Sequence, residues 1–237
     1  MDDIIIRQAT PEDIPFLAKT IVEAEKSGTE HAIMAKYFGI SNEELLKYMT
    51  RALEEDADGC EFSVSSYIVA DYKGRPVSTQ AGWMEGYPDG TPSEVIKSNL
   101  LMYVMPREVI LGTKERAEIA RTLHVERDMG TYQLEFSYTE PEFRGKHLVH
   151  RVLMEHCRRA KYQYHAHYIR GHQMQMNENS VKSKEKFGFH LLKNVASDDP
   201  RILEIYPDKV LRVIELDLDN FEIKENDYPH VAQRFLL

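Results

Sequence analysis

The segment from residue 131 to residue 172 most limits what this chain can fold into. Over 131–139, Tyr132, Leu134, Phe136 and Tyr138 alternate with Gln133, Glu135, Ser137 and Thr139, the period of two of a pleated strand. Pro141 and Gly145 then interrupt the run. From about 144 to 161, Leu148, Val149, Val152, Leu153, Cys157 and Ala160 share one helical face. Residues 164–172 read as a strand again. A strand, a helix and a strand in succession imply two parallel strands joined by a right-handed crossover.

The rest of the chain extends this unit. A short strand opens at Ile4, and Thr10, Pro11 and Asp13 mark a helix start that continues through Ile14, Leu17, Ala18, Ile21 and Val22. A second start falls at Ser41 and Glu44, followed by Leu45, Leu46, Met49, Ala52 and Leu53. Runs 66–72 and 77–85, joined through Gly74 and Pro76, read as a hairpin. Residues 86–130 read as an insertion with helices near 93–105 and 113–125. A short helix over 177–187 stops at Gly188, and 189–195 with 209–216 form a last strand pair. The order predicts an α/β (α+β) fold: a mixed central sheet of about seven strands flanked by helices, with a helical insertion between the third and fourth strands. No boundary divides the 237 residues, so a single domain is expected, with a C-terminal extension from about 217.

Composition narrows the function classes. Thirty Lys and Arg stand against 39 Asp and Glu, for a formal net charge of −9, which disfavours a non-specific nucleic-acid binder. No apolar run approaches the ~20 residues of a membrane span. Cys60 and Cys157 are the only cysteines, so no disulfide framework or Cys-rich zinc module is available. Met1-Asp2-Asp3 lacks the charged-then-apolar pattern of a signal peptide, and the expectation is a cytoplasmic protein.

The chemistry gathers at the strand-to-helix turn, 138–149. The first N–H groups of a helix lack partners and its dipole is positive there, an arrangement that binds phosphates. Gly145 lets backbone approach a ligand, and Arg144 and Lys146 add charge. From Glu142 to Lys161 there are six Lys or Arg and two Glu, a local +4 in an acidic chain. The plainer alternative is a Pro-Gly turn with solvated basic residues.

Together with the block 177–189, this turn resembles the GNAT family of acetyl-CoA-dependent N-acetyltransferases. The family's turn reads roughly Pro-x-x-Arg-Gly-x-Gly-x-Gly/Ala, matched here by Pro141, Arg144, Gly145 and Lys146. Its later block is matched by Asn177, Ser180, Glu185, Lys186, Gly188 and Phe189. The specific motifs lie between about 131 and 190, while the order of elements agrees over the chain apart from the insertion and the last ~20 residues. Two positions depart. His147 and Val149 replace the later glycines, and Lys184 stands where many members carry a Tyr usually assigned to protonating the CoA thiolate.

The resemblance implies acetyl-CoA as co-substrate, no metal, and a small-molecule or peptide amine as acceptor. It implies direct attack by a primary amine in a ternary complex. The pyrophosphate would lie on the N–H groups of Arg144, Gly145, Lys146, His147, Leu148 and Val149. The thioester and pantetheine would meet the backbone of Ser137, Tyr138 and Thr139, with Asn177 and Ser180 facing the pantetheine or the sulfur. An alkyl ammonium has a pKa near ~10.4, so a base is required. Glu135 is the candidate, against an ordinary strand glutamate paired with a basic residue; Glu140 is an alternative. The thiolate, with a pKa near ~8.5, departs with little help. Tyr138 is a conceivable acid, against a core aromatic, and Lys184 could donate to the thiolate or contact a CoA phosphate, against a solvated lysine.

Three further readings stand beside these. Trp83 could line an acceptor pocket or belong to the core. His165 and His167 on a strand, and His147 with His150 on a helix, could hold a metal for a hydrolase, but no carboxylate or Cys joins them at a recognisable spacing. A GNAT-fold module that binds an acyl-CoA without turnover is the alternative to an enzyme. The insertion and the tail are the places to look for substrate choice or the contacts of a homodimer, and no membrane or nucleic-acid partner is expected.

Overall fold

The computed structural model describes residues 3–223. One seven-stranded sheet runs in the order β1-β2-β3-β4-β5-β7-β6. Its strands are β1 (Ile4–Gln8), β2 (Tyr67–Tyr72), β3 (Arg75–Met84), β4 (Tyr132–Thr139), β5 (Tyr168–Met174), β6 (His190–Ala196) and β7 (Val210–Asp217). Every pairing is antiparallel except β4 with β5, the crossover pair expected from the sequence.

One face of the sheet carries α1 (Ile14–Glu25), α2 (Ile33–Phe38) and α3 (Asn42–Glu54). Both predicted helix starts are built as capping boxes. The Thr10 N–H donates to Asp13 at 2.9 Å, and Ser41 and Glu44 exchange bonds at 2.9 and 3.1 Å. Leu17, Ile21, Leu45, Met49 and Phe62 are buried together on this side. The short α2 carries no strong sequence signal: six residues hold less than two turns of pattern, and packing stabilises it.

The insertion folds as α4 (Ser93–Val104), α5 (Arg107–Leu111) and α6 (Lys114–Ala120), with a 3₁₀ turn over Arg121–Leu123. Leu100, Leu101 and Val104 join the α1 side of the core. Ile119 and Leu123 pack with Met174, Ile202 and Ile205. The insertion thus roofs the α1 face and the ends of β5 and β6.

The opposite face carries α7 (Leu148–Arg158) and α8 (Glu178–Phe187). Leu148, Val152, Leu153 and Cys157 are fully or nearly buried, worth roughly 1.5–3 kcal/mol for each large aliphatic side chain. α7 begins four residues later than the apolar pattern suggests, because residues 144–147 form the turn itself. His165 and His167 lie before β5, not within it, so they are not a same-face strand pair; His167 Nδ1 instead meets Asp219 at 2.8 Å. Of the C-terminal extension, Phe221 stacks on Phe187 at 5.3 Å, and the part beyond Ile223 lies outside the described residues. Among the described residues no helix is long and apolar enough to cross a membrane.

Candidate active site

The sheet opens where the chemistry was expected. β4 pairs with β5 only through Tyr132, Leu134 and the residue between them, opposite Ile169 to Gly171. Beyond Leu134 the two parallel strands part. At the same point β4 bulges: Ala81 faces Glu135 and Thr79 faces Tyr138, so Phe136 and Ser137 share the single partner Gln80. Phe136 has φ 45°, a value a bulky residue adopts only under constraint. Burial supplies the constraint, for its ring stacks on Phe62 at 6.2 Å within the α1-side core.

The bulge corrects the simple alternation. Tyr132 and Leu134 pack with α7, but Phe136 and Tyr138 cross to the α1 face. Tyr138 is therefore neither on the α7-side face nor in an apolar setting. Its hydroxyl donates to Glu140 at 3.1 Å, and Lys19 lies 5.3 Å from its ring centroid. Burial pushes its phenol up, and Glu140 adds to this against Lys19. Glu140 also accepts from Lys19 at 2.7 Å, so both its oxygens are engaged.

The turn after β4 presents backbone. Gly145 has φ 75° with open space where a Cβ would stand, so its requirement is conformational rather than steric. His147, at the first of the replaced glycines, has φ 58° and is the N-cap of α7. The turn thus keeps a glycine-like backbone without a glycine there. The Arg151 N–H donates to the His147 carbonyl at 3.2 Å, which leaves the first N–H groups of α7 outside its helical ladder. Arg144, Gly145, Lys146 and His147 are exposed; Leu148 is buried and Val149 half-buried. The Arg144 Nε donates to the Thr139 carbonyl at 3.2 Å, and Lys146 sits 4.4 Å from the Phe143 ring centroid. Thr139 shares a hydroxyl bond with Ser78 at 2.7 Å.

α8 closes the α7 side. The Asn177 side-chain Oδ1 accepts from the Ser180 N–H at 3.3 Å, and the Ser180 hydroxyl donates to Gln173 Oε1 at 2.9 Å. The buried Gln173 Nε2 keeps no partner among the described residues. Lys184 is not a solvated lysine. It is 8% exposed, and its ammonium donates to Gln80, the residue opposite the bulge, at 3.3 Å. Burial pulls its pKa down to about 8, which Cys157 and Glu135 oppose. Beneath lies a neutral His156, pushed down to about 3 by burial. Its Nε2 donates to the Gln80 carbonyl at 3.0 Å, which leaves Nδ1 to accept from the Tyr132 hydroxyl at 2.9 Å. Both thiols are inert: burial pushes Cys60 up to about 12 and Cys157 well above its ordinary value.

The α1 side holds side-chain charge. Glu135 accepts from Arg127 at 3.1 Å and from His172 at 3.3 Å. Burial opposes its ionisation, but these two partners hold it below the usual carboxylate range. Arg127 also reaches Glu61 at 3.4 Å and lies 5.1 Å from the Trp83 ring centroid. Trp83 is buried, and its indole donates to Glu85 at 3.0 Å, so it lies within this charged cluster. Lys97 binds Glu61 at 2.8 Å; despite burial, Lys97 and Arg127 hold Glu61 down to about 2. Glu25 accepts the Met34 N–H at 2.8 Å, and burial pushes it up to about 7 with help from Glu135 and Glu61.

No protein-family model and no curated protein sequence matches the chain. Solved structures do. An N-acetyltransferase from Staphylococcus aureus Mu50 aligns over 90% of this chain and 100% of its own, with TM-score 0.64 and 15% identity. A Salmonella typhimurium protein assigned as an acetyltransferase, solved with its cofactor acetyl-CoA, aligns over 94% and 99%, with TM-score 0.50 and 13% identity. A GNAT-family acetyltransferase from Bacillus anthracis aligns over 92% and 96%, with TM-score 0.51 and 10% identity. This chain has the GNAT fold. In that fold the expected site residues divide between the two faces of the parted strands: the turn, Asn177, Ser180 and Lys184 on one, Glu135 and Tyr138 on the other.

Sequence reasoning missed Glu25, Glu61, Lys97 and Arg127. One of them left a signal. Glu25 falls on the apolar stripe of α1, three residues after Val22 and four after Ile21, where a carboxylate is out of place. The others come from loops and the insertion, where no period marks them.

Proposed function

We propose that the protein transfers the acetyl group of acetyl-CoA to a primary amine by direct attack in a ternary complex. The observation that carries the reading is the parting of β4 from β5 at a bulge, directly followed by a left-handed turn at the N-terminus of α7. Parted strands leave main-chain groups free to bond a pantetheine arm, and free N–H groups at a helix start suit a pyrophosphate. The open Gln173 Nε2 offers one further donor to an amide carbonyl of that arm.

Lys184 supplies the acid. An ammonium with a pKa of about 8 remains largely protonated at neutrality and is matched to a thiolate of about 8.5. It reaches the bulge from the α8 side, as the Gln80 bond supports. Glu135 orients Arg127 and His172 beside the reacting carbonyl; its depressed basicity makes it a poor proton acceptor.

Calorimetry with acetyl-CoA tests the cofactor, and release of CoA thiol with a panel of amines tests turnover. Absence of binding at millimolar acetyl-CoA overturns the reading. Binding without turnover on any amine reduces it to an acyl-CoA-binding module.

A further inference from the structure

The charges on the α1 side do not balance pairwise. Glu61 has Lys97 and Arg127, and Glu135 has Arg127 and His172. Glu25 makes no ion pair among the described residues; its carboxylate accepts the Met34 N–H. A second group is open as well. Glu61 is 2% exposed, and its Oε1 takes both cations while its Oε2 has no hydrogen-bond partner. A buried carboxylate oxygen without a donor costs free energy unless a ligand or water supplies one.

We propose that Glu25, with the open oxygen of Glu61, receives the ammonium end of a cationic amine acceptor and that Glu25 accepts its first proton. The proton-transfer step rests on the acetyl-transfer reading; the binding step does not. Glu25 is half-buried, and the groups whose charges act on it are Glu61 from the loop after α3, Glu135 from β4 and Lys97 from α4, with Tyr206 from the loop after β6. Glu25, Glu61 and Glu135 set three carboxylates against the two cations Lys97 and Arg127, so an added positive charge relieves the site. The same surroundings hold Glu25 near neutrality in basicity, where a base works best.

The ammonium gives one proton to Glu25, which passes it to solvent. The free amine attacks the thioester carbon, a C–N bond forms and the C–S bond breaks. The nitrogen sheds its second proton to water, the sulfur takes the proton of Lys184, and water restores that one. The products are an amide, CoA thiol and one proton.

The test uses the full chain with hexylamine, cadaverine and trialanine as probes and hexanol as the uncharged control. Calorimetry without acetyl-CoA is expected to show amine binding that weakens about tenfold or more in Glu25→Gln. Glutamine keeps an oxygen for the Met34 N–H, and Glu25→Asp, which keeps the charge, should lie between the two. In thiol-release assays the wild-type rate should rise with pH through about 7 as Glu25 ionises, and Glu25→Gln should lose that limb and about 100-fold in rate. Equal amine affinity in wild type and Glu25→Gln, or no binding of any of the three amines, overturns the receptor. An unchanged pH–rate limb in Glu25→Gln overturns the proton transfer. Failure of acetyl-CoA to bind instead overturns the acetyl-transfer reading and leaves the amine arm to be read alone.

Discussion

The two sides of the parted strands are built from different materials. On the α7 side, the candidate site rests on backbone: a bulge at Phe136, left-handed residues at Gly145 and His147, and the N–H groups that start α7. On the α1 side it rests on side-chain charge, with Glu25, Glu61, Lys97, Arg127, Glu135 and His172 drawn from six separate segments. Backbone sites need a local conformation and tolerate side-chain change. Charge sites need distant residues brought into one low-dielectric space, and each member depends on the others.

The sharpest way to break the comparison is to remove one charge. Arg127→Met removes the cation shared by the buried Glu61 and the half-buried Glu135, leaving Lys97 on the first and His172 on the second. A stability loss of about 3–5 kcal/mol is expected in urea unfolding. A loss below about 1 kcal/mol would mean that the cluster is not coupled.

Lys184→Met keeps the length and removes a buried ammonium. The folded pKa of about 8 lies below the ordinary lysine value, so between the two the unfolded chain binds more protons. Native stability therefore rises with pH across that window and is penalised below it. The variant should be more stable at neutral pH, on the order of 2 kcal/mol, and that gain should vanish towards alkaline pH. Its acetyl transfer should lose the fall in rate above about pH 8. A stability difference independent of pH would place the ammonium in water.

The backbone side predicts smaller, position-specific effects. Gly145→Ala meets no neighbour, so its cost of about 1–2 kcal/mol comes from the left-handed φ alone. Acetyl-CoA affinity, read by calorimetry, should fall with it as the turn distorts. His147→Gly should do the reverse. It relieves the left-handed strain but adds freedom to the unfolded chain, for a net gain below about 1 kcal/mol in thermal unfolding. Acetyl-CoA affinity should be kept; a large loss would show that the His147 side chain, and not its backbone, is what the ligand meets.

The backbone side was the legible one. Pro141, Arg144 and Gly145 announce the turn because conformation there is local and only certain residues adopt it. The capping boxes at Thr10 and Ser41 were readable for the same reason. Phe136 was not, since nothing in the alternation of 131–139 distinguishes a bulge from a regular pleat. Only the stacking on Phe62 and the register against Gln80 create it. For Lys184 the sequence leaves a ligand contact and a solvated lysine both open, and burial against Phe189 and Gln80 removes the second.

By itself the sequence determined the order of elements, the parallel β4–β5 crossover and the turn that precedes α7, all set by periods and torsional preferences over a few residues. The tertiary structure decided which charges are brought together, that Glu25 makes no ion pair among the described residues, and that burial lowers the hold of Lys184 on its proton. Those are properties of solvent exclusion and of distance between segments remote in the chain, and no local pattern encodes either.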